Sequence, residues 1–77
     1  MTLNQLIEMT NKLASEVDAM RARVEEHHDD IRFYEEDHDI DLPSYAVEDA
    51  AALLEQAFDL LEQSEAELID LQIERAA

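Results

Sequence analysis

Asp37, Asp39 and Asp41 occupy alternate positions, and Glu48 follows at the twelfth place of the same window. That is the spacing at which acidic oxygens surround calcium in a twelve-residue loop between two helices. The sixth place, where the sharp turn of such a loop wants glycine, is Leu42, and the eighth, ordinarily apolar, is Ser44. In a chain with 21 acidic residues, alternating aspartates also arise without a ligand to hold. The reading is therefore no metal and no cofactor, with a calcium- or metal-binding helix-loop-helix kept as an alternative. His27 and His28 are adjacent, so on a helix they point about 100° apart and cannot readily share one zinc ion. His27 is read as a partly buried core histidine near the loop end, and His28 and His38 as solvated.

Nucleophilic catalysis needs a hydroxyl or thiol activated by a base that is itself oriented. Cysteine is absent, and Ser15, Ser44 and Ser64 are remote in sequence from the histidines. Paired carboxylates are plentiful, but acid/base work needs a pocket that pushes two pKa values apart, and a slim helical chain offers none. The chain reads as no enzyme, with no small-molecule substrate. Glycine is also absent, which excludes glycine-rich phosphate loops.

The charge is more informative. Between Arg32 and Arg75 lie 42 residues with 14 carboxylates and no Lys or Arg, and the formal net charge is -16. Like charges four apart on a helix cost a few tenths of a kcal/mol, yet Glu55 and Asp59 stand at that spacing, with Glu62 three residues on. Such a field repels nucleic acid and anionic lipid and attracts basic protein surfaces. Glu35, Glu36 and Asp37 crowd a predicted helix C-terminus, where the dipole prefers cations. With Asp39 and Asp41 they make the hairpin tip a candidate contact site. Glu48, Asp49, Glu55, Asp59, Glu62 and Asp70 form the candidate acidic face of the second helix.

The elements that position these groups follow from periodicity. Leu3, Thr10, Val17, Val24 and Ile31 repeat every seven residues, and Leu6, Leu13, Met20, His27 and Tyr34 form a companion series. Together they predict a first helix over about 2–36, with Thr2 and Gln5 as a capping box. After an acidic connection at 37–42, Val47, Ala50, Leu54, Ala57, Leu61, Ser64, Leu68 and Leu71 predict a second helix over about 43–75. Asp41 or Ser44 would cap it, with Pro43 in its first turn. So short a connection forces an antiparallel hairpin, a single all-α domain over residues 1–77. Ile7, Met9, Leu53, Phe58, Leu60, Ile69 and Ile73 fall outside the predicted seam, and an apolar stripe that wide contacts more than one neighbour. Ile7, Leu53, Phe58, Leu60, Ile69 and Ile73 are the candidate oligomer interface, and a homodimer forming a four-helix bundle is the expected assembly.

The hairpin-dimer pattern resembles small bacterial RNA-binding helical hairpins in architecture alone, because those read phosphates with Lys and Arg while the outward positions here are acidic. A Trp-x-Gly turn of the kind carried by secreted helical-hairpin dimers is absent. The expected function is a non-catalytic acidic protein that binds a basic partner by mimicking a phosphate backbone, as small inhibitors of nucleic-acid-binding proteins from phages and mobile elements do. The alternative is an adaptor or structural coiled-coil subunit that works through its apolar face. A third reading makes the acidity halophilic adaptation. The absence of cysteine, of a basic and apolar leader in Met1 to Asn11, and of any apolar run longer than Ala50 to Leu54 sets a cytoplasmic expectation without membrane contact.

Overall fold

A computed structural model describes residues 1–76. It consists of α1 (Leu3–His38) and α2 (Tyr45–Ala76), packed side by side in antiparallel fashion. The hairpin is a rod of 63 × 15 × 14 Å. Its Cα radius of gyration is 18.0 Å, against roughly 11–12 Å for a globular chain of this length. A rod of two helices encloses almost nothing, and Ala14, 3% exposed, is the only buried apolar residue among those described. None of the described helices is long and apolar enough to cross a membrane.

Each helix end has a local cause. The Thr2 hydroxyl accepts from the Gln5 amide at 3.2 Å, and Gln5 Oε1 accepts from the Thr2 amide at 2.7 Å. This capping box satisfies two donors that the first turn leaves without partners. At the other end Asp39 turns left-handed, with φ 50° and ψ 48°, and both its amide and that of Ile40 donate to the Glu35 carbonyl. A glycine-free chain must use a residue with a Cβ here, and Asp is among the few that tolerate it. The first helix therefore extends two residues beyond the predicted Glu36. Asp37 lies within it rather than in the connection, which spans residues 39–44. The second helix starts at Tyr45, with the Ser44 carbonyl accepting from Val47 and Glu48 at 3.2 and 3.1 Å. Pro43 thus precedes the helix instead of occupying its first turn.

Three contacts between the helices set the register. Gln72 donates to Asn4 Oδ1, Asn11 Nδ2 donates to Glu65 Oε2 at 3.1 Å, and His28 Nε2 meets Glu48 at 3.3 Å. Every step forward along α1, from Asn4 to Asn11 to His28, is matched by an equal step back along α2. The seam of α1 differs from the predicted one. Leu3, Thr10, Val17, Val24 and Ile31 are half-buried as expected, but the companion series is Ile7, Ala14, Arg21, His28 and Glu35. Leu6, Leu13, Met20, His27 and Tyr34 are all exposed. On α2 the predicted seam is half-buried except Leu71, and Ala51, Phe58, Glu65 and Gln72 join it.

The physical reason lies in which flank can close the pair. Thr10 in the seam satisfies its hydroxyl on the Leu6 carbonyl at 2.8 Å, Ala14 lets the backbones approach, and Arg21 lays its stem over the seam. Its guanidinium holds Asp18 and Glu25, each at 2.9 Å. Polar partners thus seal one flank of the hairpin, and the leucines of the other flank are left outside.

Candidate interaction surface

The carboxylates divide by position on the hairpin. Glu48, Glu55 and Glu62 repeat every seven residues along α2 on the flank sealed by polar contacts, and Asp49, Asp59 and Asp70 stand beside them on the outer face. All six are exposed. From Glu48 to Asp70 this face runs about 33 Å at 1.5 Å per residue, close to one turn of a DNA duplex. Neighbouring acids three or four residues apart are about 5–6 Å apart at Cβ. No described Lys or Arg pairs with any of them, and Glu48 meets His28 Nε2 at 3.3 Å. The His28 side chain is only 16% exposed, and it sits in a shallow groove with Glu25, Asp29, Glu48 and Glu55.

Across the seam Arg21 neutralises part of the α1 side. Hydrogen bonds to Asp18 first, and then to Glu25, raise its guanidinium above the ordinary value. Both acceptors are satisfied within the chain.

At the tip, Glu35, Glu36, Asp39, Ile40 and Asp41 line a shallow depression. Asp37 belongs to the last helical turn. His38 stacks on Tyr34, with ring centroids 3.9 Å apart, and its Nδ1 lies 3.0 Å from the Tyr34 carbonyl. A carbonyl only accepts, so Nδ1 carries the proton. This histidine places a partial positive edge at a helix end crowded with acids, a role the sequence reading of a merely solvated His38 missed. The i, i+4 spacing of Tyr34 and His38 was the available signal.

Among the described residues no group of three or more His, Asp or Glu side chains converges as metal ligands. The twelve-residue spacing of Asp37, Asp39, Asp41 and Glu48 does not form a ligand shell here, because Asp37 is held in α1 and Glu48 faces His28 on α2.

The residues predicted to cover an assembly also divide. Leu53 and Leu60 are 63% and 65% exposed, and Ile73 and, to a lesser extent, Ile69 are open as well. Ile7 and Phe58 instead fall half-buried in the hairpin seam. Sequence reasoning missed Leu6, Leu13, Met20 and Tyr34 as exposed apolar residues, having assigned them to the seam. Either flank of the Leu3 series satisfies a heptad, and periodicity alone does not choose between them. No protein-family model, curated protein or solved structure matches this chain.

Proposed function

We propose that the protein is a non-catalytic acidic interaction protein whose second helix occupies a basic, phosphate-binding surface of another protein. The observation that carries this reading is the separation of charge: one face of α2 presents Glu48, Asp49, Glu55, Asp59, Glu62 and Asp70 over about one duplex turn, and among the described residues no Lys or Arg forms an ion pair with any of them. Desolvation is small at such an open surface, so recognition is distributed over many weak charge pairs and screened by salt. The partner is a nucleic-acid-binding protein, and nucleic acid competes with the acidic face for it.

The second half of the proposal is assembly. A hairpin that buries one alanine among its described residues is a marginal fold, and two copies joined along their exposed apolar flanks form a four-helix bundle with the acids outward. The same flank also supports a second reading, in which an apolar helix of another protein covers it and the acid only keeps the chain dispersed.

The test is binding to a basic nucleic-acid-binding protein at low salt. Release by added duplex DNA, and loss of binding when Glu55, Asp59 and Glu62 are all changed to Lys, are the expected results. Normal binding by the triple variant at physiological salt would leave the acid as a solvated coat and favour the adaptor reading.

A further inference from the structure

The exposed apolar flank has a symmetry of its own. Leu6, Leu13, Met20 and Tyr34 lie on the side of α1 away from Asn4 and Asn11, and Leu53 and Leu60 lie on the side of α2 away from Glu48. They therefore share the flank that the polar contacts leave open. Along α1, Leu6 and Tyr34 are equally far from Met20. In the hairpin register set by Asn4, Asn11 and His28, Met20 stands level with Gln56, and Leu53 and Leu60 lie nearly symmetrically about that level. Apart from Leu13, whose symmetric position is His27, the apolar residues of both helices thus share one centre.

We infer that a second copy of the chain docks on this flank with α1 antiparallel to the partner's α1, the two-fold axis passing beside Met20 and between Leu53 and Leu60. This deepens the assembly proposed above and rests on it, and it goes further by fixing the face, the direction and the register. An isologous contact of this kind requires a surface that complements itself. Leu6 then meets the second copy's Tyr34, Met20 meets Met20, and Leu53 meets Leu60.

Charge selects the second copy and its direction. The first 24 residues contain three acids, Glu8, Glu16 and Asp18, and three bases, Lys12, Arg21 and Arg23, so the excess of -16 lies wholly beyond them. In the antiparallel register centred on Met20, residues 16–24 face their own copy and the net-neutral start of each α1 faces the acidic end of the other, so the two α1 helices meet without strong repulsion. Glu16 and Arg23 project from the same flank, both exposed and seven residues apart, and neither takes part in an ion pair within the described chain. The antiparallel arrangement brings each Glu16 beside the other copy's Arg23. It also places the two acidic tips at opposite ends of a rod 63 Å long, many times the roughly 8 Å screening length at physiological salt. The opposite arrangement, α1 against α2 of the second copy, puts both tips side by side.

The area approaches what a stable dimer needs. The six apolar side chains are 41–65% exposed and offer on the order of 600 Å² per copy before their neighbours are counted, against roughly 800 Å² per partner in a standard stable interface.

A chain without cysteine is suited to cross-linking. Met20→Cys is expected to form a disulfide-linked dimer under mild oxidation, since a residue beside the axis meets its own copy within disulfide reach. Ser15→Cys, on the outer face, should not. Leu6→Cys mixed with Tyr34→Cys should give the mixed dimer, with neither forming one alone. Arg23→Glu should weaken dimerisation at least tenfold by sedimentation, and Glu16→Arg with Arg23→Glu should restore it. A dimer that cross-links through Asp39→Cys at the tip, or that ignores Met20→Cys, overturns this arrangement while leaving assembly intact. A monomer at tens of micromolar overturns the arrangement and the assembly together, and neither result bears on binding of a basic partner, which is measured separately.

Discussion

The two flanks of the hairpin are built from the same heptad and end in opposite conditions. On one flank Asn4, Asn11, Arg21 and His28 reach Gln72, Glu65, Asp18 with Glu25, and Glu48, so the polar groups satisfy one another within a single chain. On the other flank Leu6, Leu13, Met20, Leu53 and Leu60 face water. A hydrogen bond is satisfied by one partner, whereas an apolar side chain gains in proportion to the area covered, and two helices 15 Å across cannot cover both flanks. The polar flank therefore completes the hairpin, and the apolar flank leaves it unfinished.

The comparison breaks most sharply if the unfinished flank is made polar. Changing Leu53 and Leu60 together to Glu is predicted to give a monomer with much reduced helicity, read by sedimentation and circular dichroism. An unmutated protein that sediments as a stable monomer would show that the apolar flank needs no cover.

The reverse intervention, on the acidic side, is predicted to spare the fold. Reversal of Glu55, Asp59 and Glu62 to Lys should abolish salt-sensitive binding to a basic partner while thermal stability stays equal or rises, because repulsion along α2 is relieved. Single reversals should each cost under about 1 kcal/mol of binding. Equal sensitivity of binding to a single change at the exposed Ile73 would argue instead for an apolar contact.

Acidification sharpens the contrast further. Lowering pH from neutral toward the carboxylate range should raise the melting temperature before the chain precipitates near its isoelectric point of about 4.1. The raised value of Arg21 means that its contribution is fully present below the ordinary guanidinium range and is lost only as pH climbs through the raised value. It is therefore constant across this experiment. The sequence reading placed His27 in the seam, but His27 is exposed, and the half-buried histidine is His28, which lies 3.3 Å from Glu48. A melting temperature that falls steadily from neutral pH downward would contradict this account.

The smallest effect is at the tip. Asp39 holds a left-handed backbone with a Cβ and adds charge to a crowded helix end. Asp39→Gly removes both costs, offset by the greater freedom of glycine in the unfolded chain, for a net gain of about 0.5 kcal/mol. On a chain this short that is about 2–4 °C in melting temperature. A loss of stability would mean that the Asp39 side chain contributes something its exposed position does not reveal.

Two helices, their antiparallel pairing and the scarcity of basic residues among the acids of the second were determined by the sequence alone. The absence of glycine, the single Pro43 and two long heptads leave no other regular structure, and a connection this short permits no other direction. The capping box at Thr2 and Gln5 was equally legible, because its chemistry is local. Which flank of α1 enters the seam was decided only by tertiary structure. The Leu3 series is bordered by Leu6, Leu13 and Met20 on one side and by Ile7, Ala14 and Arg21 on the other, and both satisfy the same period. The choice turned on partners distant in sequence: Gln72 for Asn4, Glu65 for Asn11 and Glu48 for His28. Heptad counting registers apolar residues and is blind to polar groups that find each other across a hairpin. The same pairing between the two helices set the level of Met20 against Leu53 and Leu60, a relation between residues more than thirty apart that no local pattern contains.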